Sequence, residues 1–189
     1  PEEKLVSATA QLLNIETDTV VDGINRLLEA DRLVRSFLAG ITVCYLPELY
    51  EAETNCTERL LELASTRFPA PKNLEKLLRT AEAESGITYS AQQRDAIRAA
   101  ATSGVLLITG GPGTGKTTIL NGIISLLGQM QCSYLLAAPT GRAAKRLTEV
   151  TGEDASTIHR LLETGIDPNT GRMVFARDES NPLKADAIM

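Results

Sequence analysis

The chain has 189 residues, 43% of them hydrophobic and 23% charged, and a formal net charge of −5 at pH 7. Such a chain can bury a core as one large domain or two small ones. The composition argues against a membrane span, because no apolar run approaches the about 18 residues required, and against a protein that coats nucleic acid by bulk positive charge.

Leu5, Ala8, Leu12 and Leu13 share one face of a helix predicted over 1–13. A second helix, capped by Thr17 or Asp18, carries Val20, Val21, Ile24, Leu27 and Leu28. Two strands follow over 32–37 and 41–46, with Leu38-Ala39-Gly40 as the turn. Two helices and a hairpin make a winged-helix pattern, so a small winged-helix-like α+β module is predicted over 1–50. Such modules often touch DNA through the second helix, but here that helix holds Asp18, Asp22 and Glu29 against Arg26. The sign of the charge favours a packing or connecting role, and residues 1–60 as a whole hold 11 carboxylates against 5 bases.

A helix over 51–65, a break at Arg67-Phe68-Pro69-Ala70-Pro71 and a helix over 73–85 predict a helical connector spanning 51–88. Ser90 is placed to cap a helix running to about residue 102. Beyond it an alternating series is expected: strand 105–109, helix 117–130, strand 133–137, helix 142–150 and helix 157–163. That alternation predicts an α/β domain with a parallel sheet over 89–189. Cys44, Cys56 and Cys132 are odd in number and lack a C-x-x-C pair, which fits reduced cysteines rather than disulfides or zinc. With no amino-terminal leader in view, a soluble cytoplasmic protein is the expectation.

Directly after the apolar run Val105-Leu106-Leu107-Ile108 comes Gly110-Gly111-Pro112-Gly113-Thr114-Gly115-Lys116-Thr117-Thr118, which satisfies G-x-x-x-x-G-K-[ST]. Glycines let the backbone curl so that several N–H groups face one phosphate, and the following helix adds the positive end of its dipole. Lys116 reaches the β- and γ-phosphates as a point charge, while the Thr117 hydroxyl takes one position on Mg²⁺. ATP with Mg²⁺ is the predicted ligand.

A second turn, Ala138-Pro139-Thr140-Gly141-Arg142, is expected on the same rim, because ligands of open α/β sheets gather beyond the carboxyl ends of strands. Arg142, Lys145 and Arg146 follow, close to Arg160 in sequence. Taken alone these bases read equally as a solvated helix face or as contacts to a phosphate backbone.

Three stretches, Gly110 to Thr118, Ala138 to Leu147 and Ala155-Ser156-Thr157-Ile158-His159-Arg160-Leu161-Leu162, together resemble the RecD/TraA-like branch of the superfamily 1 DNA helicases. That branch includes RecD-like helicases and the alpha subunit of exodeoxyribonuclease V. The likeness is close over 89–189, and the winged-helix-like segment resembles what precedes the motor in RecD-like members. It implies a RecA-like P-loop NTPase domain, an ATPase moving 5′ to 3′ along single-stranded DNA, and association with nuclease or helicase subunits of a recombination complex. Gln93 matches the glutamine that reads adenine; Pro139, Thr140, Gly141 and Arg142 match one strand-contacting motif; Thr157 and His159 match another. On its own residues, Gln93 also reads as an exposed helix position, and His159, the single histidine, as a packing residue.

Hydrolysis further requires a Walker B acid, a group orienting water and an arginine finger. Asp178-Glu179 follows the apolar Met173-Val174-Phe175-Ala176, but Arg177 interrupts that run. The better alignment sets residues 181–189 at the start of the next sheet strand, with the acid pair beyond Met189 and the RecA-like domain incomplete. The expectation is a polypeptide that binds ATP·Mg weakly and neither turns it over nor unwinds DNA. A P-loop phosphotransferase and a nucleotide-switched winged-helix adaptor are the rival readings.

Overall fold

The computed structural model describes all 189 residues, Pro1–Met189. They form two compact units, Pro1–Ser65 and Thr66–Met189.

In the first unit, α1 (Glu2–Leu13) packs on α2 (Thr17–Glu29) and on the second strand of an antiparallel hairpin, β1 (Val34–Leu38) and β2 (Ile41–Tyr45). α2 buries Val20 and Ile24, one helical turn apart. The residue before α2 is Glu16 in extended backbone, and neither Thr17 nor Asp18 acts as cap. Arg35 clamps the hairpin to both helices: its Nε lies 2.6 Å from Glu2 Oε2, and its Nη2 donates to Asn25 Oδ1 at 3.1 Å. Leu38 joins its strand opposite Ile41, leaving a two-residue loop in which Ala39 and Gly40 take φ of 48° and 82°. Two positive φ values in sequence give the type I′ turn that matches strand twist. The final helix of the unit, α3 (Pro47–Ser65), begins before residue 51 because Pro47 supplies a first-turn φ and needs no N–H partner.

The second unit is built around α6 (Lys116–Gln129). Its face of Ile119, Ile123, Leu126 and Leu127 packs with Leu78 and Ala81 of α4 (Leu74–Ser85), Tyr89, and Ile97 of α5 (Ala91–Ala100). At Gly122 the helices come close: a Cβ there would stand 2.4 Å from Ile97 Cδ1 and 3.1 Å from the Tyr89 hydroxyl. Hence α4 is a core helix of this unit, and the expected connector over 51–88 is divided between the two units.

A three-stranded parallel sheet has the order β4 (Ala155–Thr157), β3 (Tyr134–Ala138), β7 (Ala187–Ile188). Between β3 and β4 runs α7 (Gly141–Thr151), and β4 leads into the single turn of α8 (Ile158–Leu161). The helix expected over 157–163 is therefore mostly strand end and one turn. A small antiparallel hairpin, β5 (Thr164–Ile166) and β6 (Met173–Phe175), was not foreseen. The expected strand 105–109 does not form: no residue of it enters a ladder, Leu107 is 83% exposed, and only Ile108 packs on the core. Apolar sequence predicts burial, but a strand exists through its pairing, and residues 105–109 pair with neither edge of the β4-β3-β7 sheet.

Candidate nucleotide-binding site

The Gly110–Lys116 turn enters α6 through Gly113 and Gly115, whose φ values of 75° and 86° suit glycine. Gly115 is the N-cap of α6 and no side chain bonds the first turn. Since the first intrahelical bond runs from the Ile119 N–H to the Gly115 carbonyl, the N–H groups of Lys116, Thr117 and Thr118 open outward. The Lys116 ammonium folds back over the loop, donating to the carbonyls of Gly110 at 2.6 Å and Gly111 at 2.5 Å. Thr114 Oγ1 donates to the Gly111 carbonyl at 2.9 Å. A Cβ on Gly110 would meet that Oγ1 at 2.7 Å, so Gly110 leaves the room in which Thr114 sits. Three N–H groups without an intrahelical partner, a helix dipole and a lysine meet at one glycine-built turn, which is chemistry suited to an anion.

Gln93, in the first turn of α5, is half-buried against this turn: its Nε2 would lie 2.4 Å from a Cβ at Gly115. Sequence reasoning missed that Ser90 and Gln93 form a reciprocal capping box, although S-x-x-Q is its signature. Ser90 Oγ accepts from Gln93 N at 3.3 Å, and the Ser90 N–H donates to Gln93 Oε1 at 2.9 Å. Glu82 of α4 holds the same junction, accepting from Tyr89 N at 2.8 Å and pairing with the Arg94 guanidinium.

A short turn, Met130–Ser133, joins α6 to β3, and α6 packs beside α7, Asn121 Nδ2 donating to the Val150 carbonyl at 3.2 Å. Pro139 and Thr140 leave from the carboxyl end of β3. Thr140 caps α7, its Oγ1 accepting from Ala143 N at 3.2 Å, while Gly141, Arg142, Lys145 and Arg146 are exposed. Ala138 and Thr157 pair across the parallel ladder, which brings the turn after β4 beside the turn after β3. Thr157 is half-buried and caps α8 through Arg160 N at 3.2 Å; His159 is exposed, its carbonyl accepting from Thr164 Oγ1 at 2.7 Å.

Asp178 stands in a tight turn after β6, not at the end of a parallel strand. It accepts from Ser180 N and Oγ at 2.9 and 2.7 Å and from Asn181 N at 3.0 Å, and these bonds hold its carboxyl below the usual range. Arg177, the interrupting residue, pairs with Glu163 at 2.7 Å. By contrast Ala187–Ile188 does join the sheet beside β3, stapled by Asp186, whose Oδ2 accepts from both N and Oγ of Ser133 at 2.7 Å. The Ser133 hydrogen bonds lower the Asp186 pKa.

A glycine-built turn opening onto an uncapped helix in an α/β layer defines the P-loop class of phosphate-binding domains. Comparison with known families narrows this: the AAA domain family matches residues 93–189, just over half of the chain, and the chain belongs to that family. It is similar to the ATP-dependent RecD2 DNA helicase of Deinococcus radiodurans, 36% identical over 121 residues, which cover 64% of this chain and 17% of that protein. The RecBCD enzyme subunit RecD of Mycobacterium tuberculosis H37Rv is 32% identical over 169 residues, covering 77% of this chain and 27% of the relative. The ATP-dependent DNA helicase dda of Enterobacteria phage T4 is 45% identical over 64 residues, 33% of this chain and 14% of its own length. The likeness to RecD-like helicases read from the motifs thus extends over most of the chain, while the chain spans between about a seventh and about a quarter of the length of these relatives.

Proposed function

We propose that this chain is the ATP-binding portion of a RecD-like, ATP-dependent DNA helicase. The observation that carries the reading is the open amino terminus of α6, with Lys116 poised over the carbonyls of Gly110 and Gly111. On binding, the β-phosphate takes the N–H groups of the loop and of Lys116 to Thr118, and the ammonium exchanges two loop carbonyls for phosphate oxygens. The exposed Thr117 hydroxyl is the residue here suited to Mg²⁺, whose other ligands would be phosphate oxygens and water. There the ion would neutralise phosphate charge. Gln93 faces the base.

Single-stranded DNA is the proposed polymer ligand, held at the rim by Pro139, Thr140, Gly141 and Arg142 and by Thr157 and His159. The Thr140 hydroxyl, while accepting from Ala143 N, still has its proton to donate to a phosphate oxygen. Arg142 adds charge and His159 a ring on which a base can stack. The resemblance implies movement 5′ to 3′ in a cytoplasmic enzyme. Relatives named as RecBCD enzyme subunits support partners drawn from a recombination complex. The two helices and hairpin of the first unit are read as a winged-helix-like module in a packing role.

By itself the polypeptide is expected to bind ATP·Mg without turning it over, since Asp178 is committed to its turn and Asp186 to Ser133. Calorimetry with ATP·Mg and titration with a fluorescent single-stranded oligonucleotide test the reading. Nucleotide binding together with strand binding that falls steeply with salt is expected. Nucleotide binding without strand binding would favour a nucleotide switch or a phosphotransferase, and strand-stimulated hydrolysis would overturn the expectation of inactivity.

A further inference from the structure

The Gln93 amide is held at one end. Its Oε1 accepts the Ser90 N–H at 2.9 Å, and its backbone N–H is bound by Ser90 Oγ at 3.3 Å, so the side chain and the first turn of α5 are fixed together. The other end, Nε2, lies against Gly115, in the space that a Cβ would fill at the entrance of α6. The support beneath is rigid: Tyr89 is buried, Glu82 holds both the Tyr89 N–H and Arg94, and α5 meets α6 closely at Gly122.

We propose that Ser90 is a positioning residue for nucleobase recognition, its backbone N–H tying down Gln93 Oε1 so that Gln93 presents Nε2, a donor, to the bound nucleotide. This rests on the reading of the Gly110–Thr118 turn as an ATP site. A donor held there is complemented by an acceptor on the base, and on a purine the exposed ring acceptor is N7. The contact therefore selects purine nucleotides through N7.

The test compares dissociation constants of this chain for Mg²⁺ complexes of ATP, 7-deaza-ATP and inorganic tripolyphosphate, with melting temperature as the check on folding. Native protein should bind ATP about 3–10-fold more tightly than 7-deaza-ATP, the value of one net hydrogen bond. Ser90→Pro removes the N–H while keeping a φ that is already −64°, and it should bring the ratio to about one with tripolyphosphate affinity unchanged. Gln93→Glu keeps an oxygen for the Ser90 N–H but replaces the donor, so it too should abolish the ratio in a protein that melts normally. Ser90→Gly, which lacks the hydroxyl but keeps the N–H, decides the matter should the proline variant not fold: its ratio should stay native, and loss of the ratio there would overturn the assignment to the N–H. A ratio that survives in folded Ser90→Pro or Gln93→Glu likewise overturns the proposal. If Ser90→Pro keeps the ratio while Gln93→Ala loses the preference of ATP over tripolyphosphate, Gln93 still reads the base and only its positioning by Ser90 fails. If Gln93→Ala leaves that preference intact as well, the reading of Gln93 as a base contact falls with the proposal, while tripolyphosphate binding reports separately on the phosphate loop.

Discussion

The starts of α6 and α7 belong to one α/β unit and both carry basic residues, yet they are finished in opposite ways. α7 is closed by its own Thr140, whose hydroxyl oxygen takes the Ala143 N–H. α6 begins at Gly115 with no side-chain cap, and its first N–H groups are left for something else. A helix capped by its own chain has spent part of its capacity to bind an anion, whereas one entered through glycines keeps it. The uncapped start therefore suits a compact, multiply charged phosphate gripped by backbone, and the capped start suits an extended polyanion touched by the side chains of Thr140, Arg142, Lys145 and Arg146.

The most forceful way to break the contrast is Lys116→Ala. It removes the one side-chain charge from the uncapped turn, and hydrogen bonds to charged groups are worth about 1.5–3 kcal/mol, so ATP·Mg affinity should fall about 10–100-fold by calorimetry. Oligonucleotide binding measured without nucleotide should stay near the native value. An equal loss of both would mean that the two turns form one site.

Gly115→Ala comes next, because it attacks the backbone that leaves α6 open. At φ of 86° an L-residue is strained, and its Cβ would press on Nε2 of the Gln93 amide that the Ser90 N–H holds. A loss of about 1–2 kcal/mol in stability is expected from the left-handed conformation, read from urea unfolding, together with weaker ATP binding. Unchanged stability would show that the turn relaxes to a conformation with negative φ.

This contrast was only half legible in the sequence. The glycine run dictates its own local backbone, so the turn from Gly110 to Lys116 could be read directly, as could the Ser90 cap and the second turn after β3. Which helix start is open depends on whether a hydroxyl folds back on the chain, and at Thr140 that is a conformational fact the residue types leave open. Non-local pairing was less legible still. Val105 to Ile108 is as apolar as any strand, yet nothing in it says which neighbour will take its hydrogen bonds. β5 and β6 hold three residues each, too few to show an alternation. Asp178 carried a signal that was overlooked, since Asp followed by Ser180 and Asn181 is turn chemistry rather than the end of a strand.

A smaller change sharpens the comparison from the capped side. Thr140→Ala uncaps α7 and should cost about 1 kcal/mol, while Thr140→Ser keeps an acceptor and should cost only a few tenths. The two variants separate the roles of the hydroxyl. If its sole duty is capping, Thr140→Ala weakens oligonucleotide binding only as far as α7 frays, and circular dichroism will follow the same course. If the hydroxyl also donates to a phosphate, serine restores binding fully, and alanine loses it even where the helix remains formed.

The least perturbing substitution is Arg142→Ala, an exposed change with little effect on stability, and its information lies in a slope. A base that neutralises one phosphate of a single strand adds about 0.7 to the dependence of log affinity on log salt. Titrations of the native chain and Arg142→Ala across a range of salt concentrations should therefore differ in slope by about that amount, with ATP·Mg affinity unaltered. Parallel lines would reassign Arg142 to the solvated face of α7. A change in ATP affinity would instead put its guanidinium within reach of the nucleotide, and the division of labour between the capped and the uncapped helix starts would not hold.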